Sequence, residues 1–199
     1  MTGIKKLDNS FYDRADVVRI ARELLGKVLV TTFEGQLTSG RIVEVEAYNG
    51  VVDRASHAWS GRRTRRTEVM YREGGTAYVY LIYGIHHLFN VVTNKRDVPH
   101  AVLVRAVEPV EGIELATHGP GLLCRAMHID RSSSGVDLEG PALWIERPAG
   151  AWRKPKIDKA TRIGVDYAGD WAQKPWRFLD RDSPYVSTVS AGKRKRALG

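Results

Sequence analysis

One cysteine, Cys124, stands among 199 residues. Without a second thiol no intrachain disulfide can form, and a cysteine-rich zinc or iron–sulfur site is excluded as well. Cys124 falls in the apolar run Leu122-Leu123-Cys124, which predicts a buried, inert thiol. Long apolar runs are also missing. Nothing approaches the roughly 20 residues that span a bilayer, and the first residues lack the charged-then-apolar pattern of a secretory signal. The six histidines show no metalloenzyme spacing, and adjacent His86 and His87 on a strand would point apart. No metal and no other cofactor is expected, no membrane partner, and a soluble, intracellular protein.

Acidic residues are in deficit. Lys and Arg number 31 against 23 Asp and Glu, giving a net charge of +8 and a pI near 9.7. That balance favours a polyanionic partner. Arg62, Arg63, Arg65 and Arg66 cluster in one short stretch, and Lys193, Arg194, Lys195 and Arg196 form a second cluster. The second reads as a disordered tail over 192–199, able to add nonspecific phosphate attraction. Residues 1–191 then form one domain, since hydrophobic residues at 43% and this length suit a single core.

Apolar spacing at Val18, Ala21, Leu24 and Leu25 predicts a helix over 14–25, with Asp13 as its cap and Gly26 at its end. Strands are predicted at 27–33 and 38–48, joined by a turn near Glu34-Gly35. Residues 49–75 are polar and irregular, with a short helix near 64–72. Further strands are expected at 76–82, 87–93, 101–107 and 142–146, and weak helical character at 110–117. Gly119-Pro120-Gly121 introduces a helix over 121–128 and a loop at 129–140 follows. A Pro- and Lys-rich stretch, 147–161, precedes short strands at 162–165, 176–179 and 185–188. Many strands and few helices imply an α+β domain on a curved antiparallel sheet, with one protruding hairpin.

The stretch 41–48, Arg-Ile-Val-Glu-Val-Glu-Ala-Tyr, carries the most chemistry. Alternation on a strand puts Glu44, Glu46 and Tyr48 on one face and Val43, Val45 and Ala47 on the other. Glutamate is depleted in strands, so two carboxylates on one face require water, ion pairs or a site. A half-solvated strand and a functional site both satisfy the pattern. The two carboxylates are about 7 Å apart by strand geometry, and the residues alone do not choose between them. A second stretch, 76–92, places Tyr78, Tyr80 and Tyr83 ahead of Gly84. Tyr83 is expected at a hairpin tip, whereas Tyr80, three positions back, faces the other side of a straight strand. Asn90 interrupts the apolar run 88–92, where a neighbouring turn is the ordinary partner for its amide. Arg105 interrupts 101–107, where a buried guanidinium needs a carboxylate or a phosphate.

These stretches, with His57 between them and Arg105 beyond, closely resemble the alkyladenine (3-methylpurine) DNA glycosylase family. The resemblance runs from about 10 to 190 and includes Arg-Ala-Val-Glu-Pro at 105–109, Gly-Pro-Gly-Leu-Leu-Cys at 119–124 and Lys-Pro-Trp-Arg-Phe at 174–178. It implies that Glu46, in Glu-x-Glu-Ala-Tyr, is the catalytic carboxylate and leaves Glu44 structural or ion-paired. It implies an aromatic sandwich of Tyr48, His57 and Tyr80 around a flipped base, and Tyr83 as the intercalating residue. Asn90 matches a pocket amide that clashes with the amino group of guanine, and Leu103 matches a pocket position. Arg105 matches an arginine close to the catalytic glutamate, the water and a phosphate. One departure lies in the basic loop, where many relatives have proline at the position of Arg65.

The implied activity is monofunctional removal of alkylated or deaminated purines from double-stranded DNA by a monomeric enzyme. 3-Methyladenine and 7-methylguanine are the implied substrates, with hypoxanthine and ethenoadenine as further ones. A lyase step would need an amine nucleophile, and no lysine falls in the matched set. The short N-terminus fits a compact bacterial enzyme acting at the nucleoid in the cytoplasm; a eukaryotic one would be nuclear. The competing reading is a noncatalytic DNA- or RNA-binding module, with the tyrosines as a stacking platform.

Overall fold

The computed structural model describes residues 5–33, 35–149 and 152–187. The basic tail at 192–199 and the last residue of the strand expected at 185–188 lie outside them. Helices α1 (Asn9–Tyr12) and α2 (Val17–Leu24) lead into strands β1 (Val28–Phe33) and β2 (Gln36–Tyr48). Strands β3 (Ala77–Ile82), β4 (His86–Thr93) and β5 (His100–Glu111) follow, then helix α3 (Pro120–Ala126) and strands β6 (Leu143–Glu146), β7 (Ile157–Ala160) and β8 (Arg177–Asp180). All strand pairings are antiparallel, in the order β3-β4-β5-β2-β1-β6, with β8 on β2 and β7 on β8. The chain is thus an α+β protein on one curled antiparallel sheet, as its pattern predicts.

Helix α2 is shorter than the apolar spacing suggests. Its cap is Asp16, whose side chain accepts from the Arg19 amide at 2.9 Å, while Asp13 ends α1 instead. Four residues, Val17, Ile20, Ala21 and Leu24, bury its inner face, each large one contributing roughly 1.5–3 kcal/mol. Gly26 follows with φ +79, and its amide donates to Ile42 O at 2.8 Å. A glycine is needed there because an L side chain strains at that φ.

Strand β2 organises the molecule. One edge pairs with β5 from Ser39 to Tyr48. The other pairs with β1 as far as Arg41 and with β8 from Glu44 to Glu46. The β5 ladder is irregular between Ile42 and Val45, where the change of partner occurs. Val45 and Ala47 enter the main core with α2, α3 and Phe178. The opposite face is covered too, so both Glu44 and Glu46 are 0% exposed. The half-solvated reading of this strand is therefore wrong.

Three expected elements are absent. Residues 110–117 form no helix, because β5 continues to Glu111 and Gly112 then turns with φ +66 against Leu37 O. Residues 162–165 form no strand, and Asp166–Gln173 is a 3-10 stretch. Residues 185–187 are not a strand either. Strand β7 was not anticipated in its Pro- and Lys-rich surroundings. Cys124 is buried, and burial pushes its thiol up to about 12. Among the described residues no helix is long and apolar enough to cross a membrane.

Candidate active site

On the sheet face that carries Glu46 and Tyr48 lies a cavity of about 480 Å³, a size that suits a small organic ligand. Two other clefts are as large, about 490 and 510 Å³; this one differs in its aromatic walls. Tyr48 ends β2, Tyr78 and Tyr80 come from β3, and His57 comes from the loop after β2. The His57 ring stands edge-on to Tyr80, 4.6 Å between centroids at 71°. Its Nδ1 pairs with the Tyr78 hydroxyl at 2.9 Å. Burial, then the charges of Arg66 and Arg62, push the His57 imidazole down to about 4, so it is neutral near pH 7.

Register on the neighbouring strands supplies the floor. Leu103 on β5 pairs with Glu46 on one side and Asn90 of β4 on the other. Both line the cavity and both are buried. Asn90 is held by strand backbone and not by a turn: its Nδ2 donates to Tyr78 O at 3.1 Å and to Leu88 O at 3.3 Å. With its donors spent, Oδ1 is the end this amide can offer a ligand.

Glu46 sits one layer behind the wall. Its Oε2 accepts from the Tyr48 hydroxyl at 2.8 Å, and its Oε1 accepts from the Ile163 amide at 2.8 Å and lies 3.2 Å from Arg105 Nη1. Tyr48, Ile163 and Arg105 all line the cavity. Burial and the charge of Glu46 hold the Tyr48 phenol far above its usual range, which keeps it a donor. Glu44 is tied down differently. It accepts from Arg105 Nε at 2.9 Å, Arg177 Nη1 at 3.0 Å, and the Ser187 amide and hydroxyl at 2.6 and 2.8 Å. The ion-paired reading of Glu44 holds, and Arg105 meets the carboxylate requirement that its strand setting imposed.

At the mouth, Tyr83 and Gly84 both have positive φ, +53 and +73, and Ile85 N donates to Ile82 O at 3.2 Å. Successive positive φ values mark the tight turns of β-hairpins. Tyr83 is 86% exposed. A bulky side chain at such a φ is strained by about 1–3 kcal/mol. Because the chain reverses here, Tyr83 borders the same cavity as Tyr80, and the simple opposite-facing picture does not apply.

All eight residues singled out by sequence therefore meet at or just behind one cavity. Several neighbours were not assigned to the site by sequence: Tyr78 beside the His57 and Tyr80 rings, Arg66 of the basic cluster with its guanidinium 5.0 Å from the Tyr80 centroid, exposed Tyr167 at the rim, and the buried Asp53–Arg162 pair. Tyr78 was the legible one, since it shares a strand face with Tyr80. Among the described residues no group of three or more His, Cys, Asp or Glu side chains could hold a metal ion.

Residues 10–184 match the family model described as methylpurine-DNA glycosylase (MPG). The chain belongs to this family. Its relatives are similar over nearly their whole length. A protein of Desulfitobacterium hafniense is 46% identical over 204 residues, covering 92% of this chain and 99% of its own. A protein of Myxococcus xanthus is 50% identical over 194 residues, covering 96% and 98%. One of Chlamydia pneumoniae is 44% identical over 189 residues, covering 87% and 94%. All three are named as candidate 3-methyladenine DNA glycosylases.

Proposed function

We propose that the chain is a monofunctional DNA glycosylase that flips alkylated or deaminated purines out of duplex DNA and hydrolyses the N-glycosidic bond. Family membership supports the class of reaction. The observation that carries the mechanism is the Glu46 carboxylate, held directly behind an aromatic cavity by three of its lining residues, Tyr48, Ile163 and Arg105.

In this reading a purine enters between Tyr48 and the His57–Tyr80 pair, where stacking is worth roughly 1–3 kcal/mol per base. Asn90 and Leu103 shape the floor, with the Asn90 amide rejecting the exocyclic amino group of guanine. Glu46 accepts a proton from water as the water oxygen bonds to the sugar C1′, and the base departs with the electrons of the glycosidic bond. Negative charge at Glu46 also stabilises the oxocarbenium-like sugar. Arg105 orients Glu46 and neutralises the flanking phosphate. Tyr83 fills the gap left in the duplex. The cationic bases 3-methyladenine and 7-methylguanine leave readily; hypoxanthine and ethenoadenine, being neutral, depend more on Glu46. The enzyme acts as a monomer without a cofactor. A chromosomal substrate would have it work in the cytoplasm, at the nucleoid, a reading that its bacterial relatives support.

One observation favours a rival. Glu46 has no exposed surface, as expected if the tyrosines form only a stacking platform for nucleic acid. Incubation with a duplex carrying one hypoxanthine, then alkali cleavage at abasic sites, separates the two. The glycosylase yields a cut strand; an intact strand with hypoxanthine, 3-methyladenine and 7-methylguanine alike leaves the binding module.

A further inference from the structure

Arg162 directly precedes the residue whose amide holds Glu46. Its side chain is 0% exposed and is paired with Asp53, also 0% exposed. Nη1 donates to Asp53 Oδ2 and to Ala47 O at 2.9 Å, and Nη2 donates to Asp53 Oδ1 at 3.0 Å and to Trp171 O at 2.9 Å. The guanidinium lies against two rings, 4.9 Å from the Tyr48 centroid and 5.2 Å from that of Trp176. Asp53 uses its oxygens a second time. They accept from the Asn49 and Ala55 amides, each at 3.0 Å, and so fix the loop that runs from Tyr48 to His57.

A single cation thereby ties together three parts of the site: the end of β2 at Ala47 and Tyr48, the His57 loop through Asp53, and the Glu46 anchor through the adjoining Ile163 amide. Stability is a poor explanation for it. A buried ion pair roughly breaks even against apolar residues of the same shape, because desolvation offsets attraction. Arg162 Nε is moreover buried without a partner among the described residues. What a bidentate, planar guanidinium supplies is direction, which a lysine ammonium cannot reproduce.

We infer that Arg162 is a positioning residue of the glycosylase site, acting through Asp53 and the Ile163 amide to fix Glu46, Tyr48 and His57 relative to one another. The inference rests on the function proposed above. Arg162 reaches no substrate atom in this scheme. It acts by keeping the carboxylate and the aromatic walls in register, where an error of about 1 Å is worth on the order of 100-fold in rate.

The test is a double-mutant cycle on hypoxanthine excision from duplex DNA, under single turnover at saturating enzyme. Arg162→Met should lower the rate constant about 100-fold while affinity for an abasic-site duplex stays near wild type. Arg162→Lys should recover only part of that loss. In a Glu46→Gln background, followed over long incubations, Arg162→Met should cost little more, because two residues acting through one group are not additive. An equal loss in both backgrounds, or a loss that tracks the folded fraction by thermal melting, would reduce Arg162 to a structural brace and overturn the inference. Should Arg162→Met fail to fold, Asp53→Asn keeps the shape of the pair and must show the same dependence on Glu46. Wild-type enzyme that releases no lesion would refute the proposed function itself; active wild type with equally active Arg162→Met refutes only the positioning role.

Discussion

Glu44 and Glu46 share one guanidinium: Arg105 donates to Glu44 through Nε at 2.9 Å, and its Nη1 stands 3.2 Å from Glu46. The two carboxylates are nonetheless unequal. Glu44 has a second arginine and both Ser187 donors, so every oxygen is spent inside the protein. Glu46 is held by groups that themselves form the cavity wall.

That asymmetry predicts opposite phenotypes. Glu46→Gln should fold normally, bind lesion-containing duplex nearly as wild type, and lose roughly two to four orders of magnitude in single-turnover excision of hypoxanthine. Loss on 7-methylguanine should be smaller, because its leaving group is already activated. Glu44→Ala should instead lower folding stability by about 3–5 kcal/mol, leaving Arg105 and Arg177 short of a buried counter-charge. Denaturant melts and excision rates on both variants read this directly, and wild-type excision by Glu46→Gln would transfer the catalytic role away from it.

Tyr83→Ala should impair flipping and not bond cleavage. The ring is exposed at a strained hairpin tip, and unstacking a base step costs a few kcal/mol that a wedge offsets. Excision should fall strongly for a lesion in a well-stacked duplex and hardly at all in a single strand. Equal losses on both substrates would make Tyr83 a pocket or core residue.

Acid should destabilise the protein partly through His57. Its folded pKa, about 4, lies below histidine's ordinary 6.5. Between these values the unfolded chain binds the extra proton, so stability is complete above about pH 6.5 and falls as pH drops toward 4. His57→Gln should flatten the stability curve within that window in urea melts at stepped pH. An unchanged slope would mean that His57 is not buried as a neutral ring.

Binding to undamaged duplex should weaken steeply with salt. Arg63 is already engaged by Glu68 and Asp97, but the rest of the basic loop is exposed. Neutralising about four to six phosphates gives a log–log slope near −4 to −5. Removing residues 192–199 should reduce this nonspecific affinity yet spare the single-turnover rate. A fall in the chemical step on truncation would bring the tail into the site.

The alternating pattern of 41–48 revealed the strand, its two faces and the need of its carboxylates for partners, because period two is written in the local sequence. It did not reveal who the partners are. Arg177 lies 133 residues from Glu44 and Ser187 lies 143 away, and no local periodicity reports a contact of that range. The same distance hid the Asp53–Arg162 pair. The strand expected at 162–165 failed for a related reason: Ile163 spends its amide on the distant Glu46, and Gly164, with φ +75, leaves the extended conformation a ladder needs. The helix expected at 110–117 failed because β5 continued through its first residues. Where spacing alone decided the outcome, as for β1, β3 and β4, expectation and structure agree within one or two residues.

The strand that carries Glu46 is hydrogen-bonded along both edges, to β5 and to β8, whereas the hairpin that carries Tyr83 lies at the end of the sheet. Interior strands open only with the whole domain, and edges open by small local fluctuations. Only β5 stands between the two. In the proposed mechanism the molecule would therefore probe a duplex with a compliant margin while its general base stays on the least yielding line of the sheet, so that sequence drift at the fingertip would retune lesion search without disturbing the chemistry behind it.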